Sequence, residues 1–181
     1  MSSEIDEVLT FWFEEATPKQ YFTKDVAFDN TIRNRFSSLH EAAVKGKLEQ
    51  WRNTPSGALA EIIILDQFSR NIYRGLPTSF ASDELCLRLA KKAIKKGFDK
   101  KIDIKKREFF YLPFMHSEAK EEHEKSVQMF SEKGLEIYLP FAYKHKAIID
   151  RFGRYPHRND ILGRQSTLEE TEFLTQPDSS F

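Results

Sequence analysis

Residues 54–77 read TPSGALAEIIILDQFSRNIYRGLP, and the fold class turns on whether the run Ile62 to Leu65 inside them is a strand or part of a helix. β-Branched residues favour strands. Here the run is embedded in a longer pattern, in which Leu59, Ile62, Ile63 and Phe68 form one stripe at helical spacing. Thr54-Pro55 opens the segment with proline where its missing N–H costs nothing. Gly75 and Pro77 close it. The spacing predicts a helix, and with it an all-α chain.

The same pattern extends in both directions. Upstream, Ile5, Val8, Leu9, Trp12 and Phe13 share a helical face, with Ser3 as N-cap and Thr17-Pro18 as the break. Phe28, Ile32, Phe36, Leu39 and Ala43 mark a helix from about Asp25 to Val44, which Gly46 ends, and Trp51 sits on a connector. Downstream, a helix runs from Ser82 to Lys96 and stops at Gly97. Asp103 caps the next, through Arg107, Phe110 and Tyr111, and Pro113 is expected to break or kink it. Ser117 is expected to cap a helix through Val127 and Phe130 that ends at Gly134. Another carries Tyr138, Phe141, His145, Ile148, Ile149 and Phe152, with Pro140 in its first turn and Gly153 at its end. Ser166 and Glu169 form a capping-box pattern for a last short helix through Phe173, and the tail after Thr175 is expected to be loose. Helices joined by short turns indicate antiparallel hairpins. No repeat of about 34 residues is visible.

Composition sets bounds. The 181 residues suit a single domain spanning 1–181, with 40% hydrophobic and 31% charged residues, as in a folded globular chain. Sixteen phenylalanines provide large rings for an interhelical core. Lys+Arg and Asp+Glu are both 28, so no net charge draws the chain to nucleic acid or anionic lipid. No apolar stretch reaches the roughly 18 residues of a membrane span. Met1 to Asp6 lacks the pattern of a signal peptide. Cys86 is the sole cysteine, so no intramolecular disulfide can form. The expected location is the cytoplasm.

Several segments together resemble the bacterial domain-of-unknown-function family numbered 924. They are Phe11-Trp12-Phe13, Leu65-Asp66-Gln67-Phe68-Ser69-Arg70-Asn71, Leu112-Pro113-Phe114-Met115-His116-Ser117-Glu118 and Arg151-Phe152-Gly153-Arg154-Tyr155-Pro156-His157-Arg158-Asn159, followed by Leu162-Gly163-Arg164 and Glu169-Glu170. The resemblance spans nearly the whole chain in order. It implies an all-α, tetratricopeptide-like assembly and no established activity. Glu121-Glu122-His123 stands where the family tends to show an Asp-Gln pair.

Three motifs carry candidate chemistry. Arg151 to Arg164 holds four arginines against one acid, Asp160. Arg154, His157 and Arg158 can converge on an anion there, since guanidinium forks match carboxylate and phosphate oxygens. Equally, the arginines can tie the C-terminal segment to helix-end carbonyls and nearby acids. Asp66 and Arg70 are spaced to pair along one helix within an apolar stretch, where a buried carboxylate needs donors. His116-Ser117-Glu118 offers an acid–base pair or a cap for the following helix. The candidate acid–base residues are thus His116, Glu118 and Asp66. The candidate ligand-binding residues are Arg70, Arg154, His157, Arg158, Asn159 and Arg164.

Other features read as structural. His116, His123 and His145 lack metal-ligand spacing, so neither metal nor other cofactor is expected. Lys91 to Arg107 holds nine basic residues and two acids, but its lysines fall on one helical face without interleaved aromatics, which reads as a solvated surface and not a nucleic-acid site. Two functions remain: a pocket for a small anionic ligand with acid–base chemistry, or a helical scaffold that binds a protein segment and uses these polar residues for its architecture. The pocket reading expects Asp66, Arg70, His116, Arg154 and His157 to lie close together.

Overall fold

In the computed structural model, which describes residues 3–177, 179 and 180, every regular element is helical. Helix α1 (Glu4–Thr10) continues as a π-helical turn, Phe11–Glu15, and is followed by α2 (Pro18–Phe22) and α3 (Val26–Val44). After a 3-10 connector, Glu49–Asn53, α4 (Pro55–Ile63) passes through a second π-helical turn, Ile64–Phe68, into α5 (Ser69–Ile72). Then come α6 (Asp83–Lys95), α7 (Ile104–His116), α8 (Lys120–Phe130), α9 (Leu139–Phe152) and α10 (Leu168–Leu174). Among the described residues no helix is long and apolar enough to cross a membrane.

The fold-deciding segment is the central helix. Every residue from 57 to 69 is buried, because α1, α3, α6 and α7 pack around it. That explains its apolar run: with no solvent face, no polar stripe is required. The strand-like Ile62 to Leu65 segment is helical because burial on all sides overrides β propensity. Buried Glu61 on this helix is met by Arg52 from the connector, with Nε–Oε2 at 2.8 Å and Nη2–Oε1 at 2.7 Å. The connector approaches so closely that a Cβ at Gly57 would stand 2.3 Å from the Trp51 carbonyl oxygen.

Aromatic rings fill the space between the helices. Phe36 lies 4.8 Å from Phe68 and 5.0 Å from Phe11, centroid to centroid, and Trp12 stacks on Tyr21 at 4.5 Å. Helices α6, α7, α8 and α9 pack in succession as antiparallel hairpins, and a smaller cluster of Ile148, Ile149 and Tyr155 with Phe152 and Phe173 seats the C-terminal segment.

Three local expectations change. Helix α7 continues through Pro113 to His116. Residues 108–115 are buried on all sides, and the packing holds the helix despite the proline's missing N–H. Ser117 does not cap α8, which starts at Lys120 behind Ala119; Ser117 ends α7 and accepts a hydrogen bond from the Ala119 N–H. The last capping box is Thr167 with Glu170, one residue beyond the expected pair. Ser166-Thr167 and Glu169-Glu170 permit both registers, and Arg154 selects the second by binding Glu170. Beyond α10, the Ser179 hydroxyl donates to the Leu174 carbonyl. Asp178 and Phe181, on which part of the loose-tail expectation falls, lie outside the described residues.

Candidate functional site

Asp66 sits in the π-helical turn of the central helix and is 1% exposed. The wider turn changes the local register and aims its carboxylate toward α7 while Leu65 and Phe68 stay in the core. There Asp66 Oδ1 lies 2.7 Å from His116 Nδ1. Gln67 Nε2 donates to Oδ2 at 2.5 Å, and Arg70 Nη1 lies 3.1 Å from Oδ1. Burial alone would raise the Asp66 pKa, but Arg70 and His116 outweigh it and hold the carboxyl well below the usual carboxylate range. An ionised carboxylate only accepts, so His116 carries its proton on Nδ1 and leaves Nε2 as the basic nitrogen.

Arg70 continues the network outward. It approaches Asp83 at the start of α6, with Nη2–Oδ2 at 3.2 Å. Asp83 Oδ2 also accepts from Arg158 Nη1 at 3.0 Å, and Arg158 Nη2 donates to the His116 carbonyl at 2.9 Å. The Arg158 guanidinium lies over the rings of Phe80, at 4.4 Å, and Tyr155, at 4.7 Å. These contacts join Asp66, Arg70, Asp83, His116 and Arg158 into one chain linking the central helix, α6, α7 and the Pro156–Arg158 turn. Sequence reading passed over Asp83, because an acid in the first turn of a helix is a common dipole partner and carries no separate signal.

The other arginines of the turn are engaged elsewhere. Arg154 stands outside this chain of bonds: it holds Glu170 bidentately, at 2.6 and 2.8 Å, and the Gln165 carbonyl. Arg164 holds Glu118 bidentately, at 2.7 and 2.9 Å, and its Nε donates to Asn159 Oδ1. Glu118 also accepts from the Tyr155 N–H at 2.8 Å. Burial raises the Glu118 pKa, but Arg164 and the Tyr155 amide more than reverse it. Asn159 bridges on to Ser166 at 3.0 Å. Arg151 pairs with Glu169. The neutralising acids are distant in sequence; Glu169 enters the sequence reading only as a capping residue and Glu170 only within a family motif.

His157 packs against Tyr155, and burial followed by repulsion from Arg158 pushes its pKa down to about 4. His145 and His123 also surround Tyr155, and burial depresses both. Among the described residues no three His, Cys, Asp or Glu side chains are placed to hold a metal ion.

A cleft of about 580 Å³ opens beside the dyad. His116, Ser117 and Glu118 form one wall, and Asp83 and Arg158 another. Pro77, Phe80, Leu87 and Leu162 give it an apolar surface. This size suits a small-molecule site. Arg70, Arg158 and Arg164 are balanced by Asp66, Asp83 and Glu118, so the cleft has no surplus positive charge.

Fold and geometry together define an all-helical protein with a buried Asp–His pair beside a cleft and a C-terminal segment tied down by arginine–carboxylate bridges. The family described as bacterial protein of unknown function (DUF924) matches residues 8–178, and the chain belongs to that family. A solved structure of a protein of unknown function from Agrobacterium tumefaciens is similar at 38% identity and a TM-score of 0.88, covering 94% of this chain and 96% of that one. No curated protein matches.

Proposed function

We propose that the cleft binds a small, uncharged polar molecule with an apolar portion and that His116 performs acid–base chemistry on it. The observation that supports this is the 2.7 Å contact between buried, ionised Asp66 and Nδ1 of a histidine that lines the cleft. Asp66 accepts from Nδ1 and so fixes the tautomer that leaves Nε2 to exchange a proton with the ligand. Glu118 serves as a positioning group, because both its oxygens are committed to Arg164 and Tyr155. The anionic ligand expected at the arginine turn is less well supported, since carboxylates hold Arg151, Arg154 and Arg164, and Arg158 is engaged by Asp83 and the His116 carbonyl.

The scaffold alternative draws on the same saturation: Arg154 and Arg164 fasten the C-terminal segment, as a tetratricopeptide-like binding platform would require. The two readings separate on activity. Wild type and His116→Gln are assayed side by side against uncharged esters, amides and activated C–H acids. The acid–base reading expects turnover by wild type and a loss of about 100-fold or more in the variant, with an unchanged fold. Equal rates in both proteins, or no turnover in either, would favour the scaffold.

A further inference from the structure

A second cleft, of about 460 Å³, lies farther along α6, between it and α7 and α8. Leu87 lines the first cleft, and Lys91, one helical turn on, lines the second. Its floor is apolar: Ile94 and Met129 are partly exposed above the rings of Tyr111 and Phe114. Its rim is basic, with Lys91, Lys95, Lys100 and Lys125.

The charges here do not cancel. Buried Glu122 is shared by Lys91, at 2.8 Å, and Lys125, at 2.9 Å, so one carboxylate serves two ammonium groups. Glu132 is likewise shared by Lys100 and Arg107. Asp99 lies 3.9 Å from Lys100, with its Oδ2 accepting from the Tyr111 hydroxyl. Lys95 makes no ion pair among the described residues. With Arg107 counted, five cations face three carboxylates. Part of the basic run that reads as a solvated face in the sequence therefore borders a cavity, because α8 closes over it.

We infer that this second cleft binds an organic anion: a phosphate or carboxylate held by Lys91, Lys95 and Lys125, on an aromatic or aliphatic body that covers Ile94 and Met129. The anionic group relieves the repulsion among the lysines, and the body removes exposed apolar surface from water. Neither this inference nor the His116 reading depends on the other.

Phenyl phosphate is the probe, with inorganic phosphate and phenol as its two halves. The proposal expects saturable amide shifts in ¹⁵N spectra at Ile94, Phe114 and Met129, and binding by either half alone at least about tenfold weaker. Lys95→Ala combined with Lys125→Ala should weaken phenyl phosphate about tenfold, since two of the three ammonium groups are lost while Lys91 stays to pair buried Glu122, and a melting curve checks that the variant remains folded. Added salt should weaken wild-type binding in the same direction. No saturation by about 10 mM, an affinity unchanged in the double variant, or shifts confined to Leu87 and His116 would overturn it.

Discussion

Arg158 shows what burial does to a single charged side chain. It is 7% exposed, donates to Asp83 and the His116 carbonyl, and lies over two aromatic rings. Burial and the nearby Arg70 oppose its charge, while Asp83 supports it. Removing one member of such a buried network costs about 3–5 kcal/mol; here the His116 carbonyl loses its donor and Asp83 keeps only Arg70 among the described residues. Arg158→Ala should therefore lower the melting temperature by roughly 6–20 °C at this chain length. A melting curve within about 1 °C of wild type would mean that the turn is free to serve a ligand instead. The sequence showed that Arg158 sits in an arginine-rich turn, but not that its acid is Asp83, 75 positions away.

At the scale of elements, α10 is held by its N-terminus. Thr167 and Glu170 close a capping box, and Glu170 is also the carboxylate that Arg154 grips. The Arg154 hydrogen bond, outweighing burial, lowers the Glu170 pKa to about 2. One residue thus closes the N-terminal cap of the helix and docks it. Thr167→Ala should cost about 1 kcal/mol through the lost cap. Hydrogen exchange should locate the effect, with amides of 168–174 opening sooner and those of the central helix unchanged. Uniform acceleration across the chain would show that α10 is no separate unit. A cap was legible here because it is local, whereas its register depended on Arg154 across the turn.

For the whole molecule, two kinds of buried titrating group set the pH range of stability. Glu108, on α7, accepts from the Tyr138 hydroxyl and has no cationic partner among the described residues; burial raises its pKa to about 7. Its folded-state value exceeds the unfolded one, so its stabilisation is complete below about pH 4.5 and disappears as pH rises through about 7. That amounts to about 3 kcal/mol. His145 and His157 behave oppositely, with burial depressing them to about 3 and about 4. Their stabilisation is complete above the unfolded value of about 6.5 and falls away as pH drops toward those folded values. Urea unfolding across pH 4 to 8 should therefore show stability rising with pH to a plateau at about pH 7, because two histidines gain over the range in which one carboxyl loses, and Glu108→Gln should make that rise steeper between about pH 4.5 and 7. An unchanged slope over that range in the variant would exclude Glu108 as a contributor.

What the sequence determined alone was whatever nearest neighbours along the chain decide. Helical stripes from Ile5 to Phe173, the caps at Ser3 and Asp103, and the helix end at Gly153 follow from spacing and local sterics. The resemblance to the family followed from motifs kept in order. Tertiary structure decided what depends on partners far apart in sequence. It carried α7 through Pro113 by burying it, and joined Asp66 to His116 across fifty positions. It answered Arg164 with Glu118, and set Lys91 and Lys125 around one carboxylate. Helix signals are short-range, so one sequence reveals them. The charge balance of a cleft is a sum over residues that only folding brings together.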